Sequence, residues 1–390
     1  MKGNKRLIEI LIVVTIATFI GMIAGAGYIY TLKNTKNNKK NDDNLSKINE
    51  IYNTIVDDYY QDVDKESLVE AAVSGMLSVL DKNTSYMDTN TTSNFNKKMY
   101  GEYYGIGIEA LTVDKGILVV SVANGPAKEA DIRANDIIIS INNVSLEGKT
   151  AAYFTELISN ISNEIKLVVL RGDRKLNINI IPEKIVLESV TTNKFTVNNK
   201  NIGYIKISIF ASNTASQFTS SLKSLEENKI DALVIDVRNN SGGYLSSASS
   251  ILELFMKKDT ILYQTESKSS LLKRKDETDD YRSYPVAILV NGSSASASEV
   301  LTAAFMENLN SEVVGTTTYG KGTVQETVSV LSNSTAKITT KKWLTPKGNW
   351  IDGVGITPTI VIQLSDKYLL KPTFENDNQL EKAINILSVK

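Results

Sequence analysis

An apolar run in the carboxyl-terminal half leads directly into a cluster of small polar residues. The sequence reads PVAILV over residues 285–290 and NGSSASASE over residues 291–299, and the apolar positions of a predicted helix follow. A strand that turns into a helix through small residues can expose a serine hydroxyl beside free backbone N–H groups and the positive helix end. Such a turn supplies nucleophile and oxyanion hole in acyl-transfer enzymes, and an N-capping cluster is the alternative interpretation.

Histidine and cysteine are both absent from the 390-residue sequence. Their absence excludes a Ser-His-Asp triad, cysteine nucleophiles, disulfides and zinc sites made of Cys and His. A nucleophilic serine would therefore need a lysine base whose pKa burial has lowered from about 10.4. The stretch YGKGTVQ, residues 319–325, places a lysine between two glycines ahead of a predicted strand. A surface-turn lysine is the alternative, and nucleotide binding has little support because the full GxxxxGK[ST] pattern is absent.

A third glycine-rich turn follows an apolar strand predicted over residues 232–237. It reads DVRNNSGG over residues 236–243, and its two glycines allow backbone N–H groups to point into a crevice, as an oxyanion hole requires. A plain turn is the alternative. In a layered α/β core the loops at the carboxyl ends of the strands can meet in one crevice, and the combination of three such turns is far more specific than any one.

The hydrophobic pattern divides the chain into regions of different class. After Pro182, long apolar β-branched runs alternate with helices, which predicts a layered α/β core. Between Tyr100 and Pro182, short β-rich runs with one helix predict a small, partly open β-barrel. Helical periodicity from Leu45 to Leu80 predicts two amphipathic helices.

The amino-terminal region carries a segment suited to a membrane. Residues 10–29 contain no charged residue and would span about 30 Å as a helix. Basic residues ahead of the segment predict export of the remainder, although four lysines behind it oppose that orientation. We expect an uncleaved anchor, with a cleaved signal peptide or a cytoplasmic catalytic part as alternatives. The chain beyond residue 40 carries 36 basic and 43 acidic residues, which argues against a nucleic-acid partner.

Taken in order, these motifs resemble those of a known peptidase family. The set DVRNNSGG, NGSSASASE, GKGTVQ and TPKGNWIDGVGITP resembles the carboxyl-terminal processing peptidases of family S41, Ser-Lys proteases with a crotonase-like α/β fold. The resemblance implies that Ser296 is the nucleophile, that Lys321 is the general base and that Gln325 orients the lysine. It also implies an oxyanion hole formed by N–H groups of Ala297 and of Gly242 or Gly243.

The same resemblance explains the β-rich middle as a PDZ domain. The stretch YGIGI, residues 104–108, resembles the PDZ loop whose N–H groups bind a peptide's terminal carboxylate while the peptide adds a strand to the sheet edge. The implied peptide-binding residues are Gly105, Ile106, Gly107 and Ile108. The usual AGLKPGD pattern reads ADIRAND over residues 130–136, without the turn proline and glycine. Arg171 is either a link from a docked PDZ domain to the catalytic site or a surface residue.

The predicted organisation is a multi-domain α/β protein with six regions. They are a membrane anchor or signal (residues 1–32), a linker (33–44), a helical subdomain (45–98), a PDZ domain (99–182), an S41-type protease core (183–366) and a carboxyl-terminal helical segment (367–390). We expect an exported, membrane-anchored serine endopeptidase that captures protein tails with free, apolar C-termini and cleaves exported or partly unfolded proteins.

Two other classes compete with this interpretation. A catalytically inactive PDZ adaptor would bind tails without cutting them, but the intact Ser296, Lys321 and Gln325 argue against it. An acyl-CoA-type enzyme of the crotonase fold would leave the PDZ segment unexplained. The resemblance implies neither a metal nor an organic cofactor, and it leaves the natural substrate and a homo-oligomeric state open.

Overall fold

The computed structural model describes residues 44–159, 161–330 and 333–389. The segment at residues 10–29 and nearly all of the predicted linker lie outside the described residues. The chain divides into two compact units, which separate between Met76 and Leu77. Within the described ranges, no helix is both long enough and apolar enough to span a bilayer.

Helices occur in every predicted region of the described chain. In order they are α1 (44–58), α2 (Lys65–Ser78), α3 (Thr89–Tyr100), α4 (Pro126–Glu129), α5 (Ala151–Ser159), α6 (Thr214–Glu227), α7 (Leu245–Leu252), α8 (Ala297–Leu309), α9 (Asp366–Leu370) and α10 (Asn378–Leu387). Helix α3 shows how local sequence sets the bounds. The side chain of Asp88 accepts from Thr91 N at its start, and Gly101 ends it in the left-handed conformation with a φ of 71°.

The predicted protease core is built on a six-stranded sheet. Its strands are β10 (Val190–Val197), β11 (Lys200–Ile207), β12 (Ala232–Asp236), β15 (Val286–Val290), β16 (Glu312–Gly315) and β19 (Ile360–Val361), in that spatial order. Strand β10 is antiparallel to β11, and the other neighbours are parallel. Every residue of β12 and β15 is buried, because helices cover both faces. Helices α6, α7 and α8 pack on one face and α10 on the other, which confirms the predicted α/β class.

A buried ion cluster joins this sheet to helix α10. Arg238 lies just after β12, and its guanidinium pairs with Asp236 at 2.6 Å and with Asp377 at 2.7 Å. Asp377 also caps α10 by accepting from Leu380 N. All three charged side chains are nearly inaccessible to solvent. The cluster therefore fixes the start of the loop that carries Gly242 and Gly243.

The PDZ region has a sheet and a hydrophobic core of its own. Its strands are β3 (Ile108–Val113), β4 (Gly116–Val122), β5 (Ile137–Ile141), β6 (Val144–Ser145), β7 (Ile165–Arg171) and β8 (Arg174–Ile180). Strand β3 lies at one edge of this sheet, and among the described strands it pairs with β4 alone. The entry and exit of the region pair with each other as strands β2 (Glu102–Gly105) and β9 (Glu183–Val186), and Leu187 N donates to Gly101 O at 2.8 Å.

A third sheet carries the segment that follows Lys321. Its strands are β1 (Ser85–Met87), β13 (Ile261–Glu266), β14 (Leu271–Lys275), β17 (Thr323–Ser329) and β18 (Thr335–Leu344). Strands β17 and β18 form an antiparallel pair, and β1 pairs with the other edge of β18. Residues 85–87, predicted as part of the helical subdomain, therefore contribute a strand beside the protease core.

Candidate active site

Ser296 lies at a sharp turn between strand β15 and helix α8. Its backbone has a φ of 55° and a ψ of −116°, an unusual conformation for a residue with a side chain. Both neighbouring serines are buried and already engaged, since Ser294 Oγ donates to Val237 O and Ser298 Oγ donates to Asn240 O. Ser296, by contrast, is partly exposed. The structure thus separates these three of the four serines in the cluster by their exposure and by the partners of their hydroxyl groups.

The loop after strand β12 lies directly against this turn. A Cβ atom on Gly242 would lie 2.9 Å from Ser296 Cβ, so that only glycine fits there. The N–H group of Gly242 donates to Asn240 Oδ1 at 2.8 Å. Within the described chain, the N–H groups of Gly243 and Ala297 have no acceptor. These two groups, one on each side of the turn, are the available donors for an oxyanion.

Lys321 lies in a tight loop between β16 and β17. A Cβ on Gly320 would lie 2.8 Å from Gly355 N, and one on Gly322 would lie 2.6 Å from the indole nitrogen of Trp350. Burial lowers the pKa of Lys321, and the positive charge of Lys337 lowers it further, while Glu299 and Asp81 act in the opposite direction. The loop therefore favours the neutral amine that a general base requires.

Glu299 joins the serine turn to the lysine loop. Its buried carboxylate accepts from Ser296 N at 2.8 Å and Lys321 N at 2.9 Å through one oxygen, and from Gly320 N at 2.7 Å and Thr318 Oγ1 at 2.6 Å through the other. The peptide nitrogens of Ser296 and Lys321 hence lie within two hydrogen-bond lengths of each other. In the described residues, no hydrogen bond joins Ser296 Oγ and Lys321 Nζ.

A groove of 1320 Å³ runs along the edge of the PDZ sheet. The predicted peptide-binding loop, from Gly105 to Ile108, lines it together with residues of α5 and α3. Gly107 has a φ of 84°, and the N–H groups of Ile106 and Gly107 have no acceptor among the described residues. Two adjacent free donors at the end of an open strand edge can bind a terminal carboxylate.

Lys97 on helix α3 adds a positive charge to this groove. Its ammonium lies 5.8 Å from the ring centroid of Tyr103, and the Tyr103 ring packs against Gly105. Burial lowers the pKa of Lys97, and no carboxylate of the described residues pairs with it. No sequence motif indicated this residue, because α3 precedes the PDZ strands and belongs to a region predicted as a separate helical subdomain.

Family models match three successive parts of the chain. They are the activating protease CtpB N-terminal domain at residues 12–91, the PDZ domain at 93–170 and peptidase family S41 at 201–362. Carboxy-terminal processing protease CtpB of Bacillus subtilis (strain 168) is 39% identical over 334 residues, which are 84% of this chain and 70% of the relative. The chain belongs to peptidase family S41.

Other carboxy-terminal processing proteases support this S41 assignment. CtpA of Bacillus subtilis (strain 168) is 32% identical over 396 residues, covering 99% of this chain and 84% of the relative. Among solved structures, the photosystem II D1 C-terminal processing protease shares the fold, with a TM-score of 0.51 and 22% identity over 88% of this chain and 90% of that one. The resemblance to S41 peptidases with a PDZ domain is confirmed.

Gln325 of the S41 core makes contacts that the sequence could not show. Its Nε2 donates to Thr323 Oγ1 at 2.9 Å and to Thr339 Oγ1 at 3.1 Å. Among the described residues, no hydrogen bond links Gln325 to Lys321. The residue is therefore held beside the lysine loop by two threonines of the β17–β18 pair.

Arg171 makes its contacts inside the PDZ region, with 28% of its side chain exposed, and a link to the catalytic site stays a prediction. Its guanidinium donates to both carboxylate oxygens of Asp136, at 2.8 Å each, and to Asp131 Oδ2 at 3.2 Å. These contacts lie inside the PDZ region, where Asp131 and Asn135 adopt positive φ angles of 57° and 72°. Arg171 thus holds the loop that lacks the usual proline and glycine.

Among the described residues, no group of three or more acidic side chains is arranged to bind a metal ion.

Proposed function

We propose that this S41 peptidase is a serine endopeptidase in which Ser296 is the nucleophile and Lys321 the general base. The observation that carries the proposal is the buried Glu299 carboxylate, which accepts from the backbone of both residues. Neutral Lys321 removes the proton of Ser296 Oγ, and the oxygen attacks the scissile carbonyl carbon.

The N–H groups of Gly243 and Ala297 then stabilise the negative oxygen of the tetrahedral intermediate. The Lys321 ammonium returns its proton to the leaving amine, and the acyl-enzyme forms. Water, deprotonated by Lys321, hydrolyses this ester and frees Ser296. We expect the hydrogen bond between Ser296 Oγ and Lys321 Nζ to form in the substrate complex, since such contacts often tighten only when substrate binds.

We also propose that the PDZ groove captures the carboxyl-terminal tails of protein substrates. The free edge of β3 offers backbone partners to an extended tail, and the N–H groups of Ile106 and Gly107 offer donors for its terminal carboxylate. Lys97 strengthens this preference because a half-buried ammonium attracts the same carboxylate. Apolar terminal residues remain the expected preference, with the carboxylate as the essential feature.

We further propose that residues 10–29 anchor the protein in the membrane and that its catalytic part lies outside the cytoplasm. The support is the uncharged segment and the basic residues ahead of it. Alkaline extraction of membranes tests the anchor, and digestion of intact cells by an added protease tests the location. Release of the protein by alkali would favour a cleaved signal peptide, and full protection from the added protease would favour a cytoplasmic catalytic part.

The decisive test of the activity compares the detergent-solubilised full chain with its Ser296→Ala variant on an unfolded protein. Cleavage by the native protein alone supports the proposal. Cleavage by both proteins would exclude Ser296 as the nucleophile. Cleavage by neither, with tail binding retained, would leave the PDZ adaptor.

A further inference from the structure

A chain of hydrogen bonds extends from Gln325 to the turn at residues 81–84. Thr339 Oγ1 accepts from Gln325 Nε2 at 3.1 Å, and the same hydroxyl donates to Asp81 Oδ1 at 3.2 Å. The turn leads into strand β1, which pairs with β18 and so keeps Asp81 close to Thr339. Asn83 Nδ2 also reaches the second threonine, Thr323, at 3.0 Å.

The Asp81 carboxylate receives donors from its own turn as well. Asn83 N donates to Oδ1 at 2.8 Å, and Thr84 Oγ1 donates to Oδ2 at 3.0 Å. Burial raises the pKa of Asp81, but the hydrogen bonds from Asn83, Thr339 and Thr84 lower it more, so that the group is ionised near neutral pH. An ionised carboxylate can only accept hydrogen bonds.

The acceptor role of Asp81 sets the direction of the hydrogen bond between Thr339 and Gln325. A hydroxyl has a single hydrogen, and Thr339 uses it on Asp81, so that only lone pairs remain for Gln325. Gln325 must consequently turn its NH₂ group, and not its carbonyl oxygen, toward Thr339. Gln325 Oε1 keeps no partner among the described residues. It is the acceptor that an ammonium group beside it would need.

We propose that Asp81 is a positioning residue of the active site, which acts through Thr339 to fix the orientation of the Gln325 carboxamide. With Asp81 in place, Oε1 is the atom offered to the Lys321 ammonium that forms when Ser296 loses its proton. Without Asp81, the Thr339 hydroxyl is free to donate to Gln325, and the carboxamide can turn over and present NH₂ to the ammonium. The inference rests on the proposed Ser-Lys mechanism with Gln325 as the orienting residue.

Asp81 also acts on Lys321 through its charge, which gives a separate readout. Three charged groups shift the pKa of Lys321: Lys337 lowers it, and Glu299 and Asp81 raise it against the larger effect of burial. The Asp352 carboxylate also faces this loop, where it accepts from Gly322 N at 2.8 Å. Removal of the Asp81 charge therefore lowers the pKa of Lys321. Activity should then rise at a lower pH, because the neutral amine appears earlier.

The experiment measures kcat, KM and the pH profile of the full chain on an unfolded protein substrate. We expect Asp81→Ala to lower kcat roughly tenfold with KM nearly unchanged, because it removes the acceptor of the Thr339 hydroxyl hydrogen. Asp81→Asn keeps an amide oxygen for Thr339 and removes only the charge, so it should keep most of kcat and move the pH profile to lower pH. We expect Thr339→Val to lower kcat about as much as Asp81→Ala without moving the pH profile, and Thr339→Ser, which keeps the hydroxyl, to restore kcat. The control is Asp88→Asn, which removes a nearby carboxylate at a helix N-cap where asparagine serves equally well.

The double variant separates this inference from the proposed function. If Asp81 acts through Gln325, Asp81→Ala lowers kcat no further in a Gln325→Ala background. A full additional loss there, or native kcat in Asp81→Ala, would overturn the inference. Native kcat in Gln325→Ala would remove the orienting role and the inference with it, while Ser296→Ala still tests the nucleophile. Should Asp81→Ala unfold, Thr339→Val and Thr339→Ser decide the question alone.

Discussion

Replacing Glu299 by glutamine converts one oxygen of a buried carboxylate into the NH₂ of a carboxamide and removes the negative charge of the carboxylate. Four donors meet the native carboxylate, from Ser296, Lys321, Gly320 and Thr318. The amide suits the Thr318 side best, because the Thr318 hydroxyl can accept, as it already does from Ile356 N at 2.7 Å. In that orientation the bond to Thr318 reverses direction, so that the hydroxyl hydrogen is released from Glu299, and the N–H group of Gly320 loses its acceptor outright.

The magnitude follows chiefly from the Gly320 N–H group, since the reversed bond still joins Thr318 to the amide. Loss of a hydrogen bond to a buried charged group costs about 1.5–3 kcal/mol. We therefore expect Glu299→Gln to lower the free energy of unfolding by about 2–3 kcal/mol. The remaining amide oxygen still accepts from Ser296 N and Lys321 N, so part of the activity and all of the tail binding should persist. Glu299→Ala, which orphans every donor, should fail to fold.

The pH profile distinguishes the charge of Glu299 from its role as an acceptor. The charge raises the pKa of Lys321 against the dominant effect of burial. Its removal lowers that pKa, so proteolysis should rise at a lower pH in Glu299→Gln than in the native protein. Glu307→Gln, later in the same helix, is the matched control for both thermal unfolding and the profile. An unchanged profile, or unchanged stability, would refute the reasoning.

The other predictions concern the dyad and the groove. Ser296→Ala should abolish proteolysis and leave stability and tail binding intact. Ser298→Ala should keep most of the activity and lose about 1 kcal/mol of stability. Activity assays and thermal unfolding measure both outcomes. Lys321→Met should be inactive, yet calorimetry at pH 7 should show it to be more stable than the native protein. The reason is that the folded protein binds the Lys321 proton more weakly than the unfolded chain does. The native protein therefore gains stability as pH rises toward 10.5, and the stability difference from Lys321→Met becomes smaller. Amidation of the C-terminus of a tail peptide should weaken its binding roughly ten- to a hundredfold, as calorimetric titration would measure. Lys97→Met should reduce the difference in affinity between the free-acid and the amide peptide. Equal affinities of the two peptides for the native protein would contradict capture by the Ile106 and Gly107 N–H groups.

The proximity of three loops was predictable from the sequence alone: the turn of Ser296, the loop of Lys321 and the turn of Gly243. Each one follows a strand of the core, and parallel strands place the loops at their carboxyl ends on one edge of the sheet. The free N–H groups of Ile106 and Gly107 were predictable for a similar reason, since glycines frame them and a strand follows.

The partners that tune the site were not predictable. Glu299 stands three residues after Ser296, a spacing that local rules explain as a helix cap, and nothing local indicates its bonds to Gly320 and Lys321. Asp81 lies far from Thr339 in sequence, and only the pairing of β1 with β18 joins them. Hydrogen bonds between side chains on distant segments leave no periodic signal, because they depend on tertiary packing and not on the repeat of a helix or strand.

The pairing of β2 with β9 gives the protein a modular construction. The two ends of the inserted region lie one hydrogen bond apart at Gly101 and Leu187, and the strands that leave them are in register from Glu102 to Gly105. An insert whose ends meet can be exchanged at two junctions without a change in the chain path of the host. A PDZ region with another groove could accordingly be transplanted between these points, giving the proposed nucleophile Ser296 a new set of substrates.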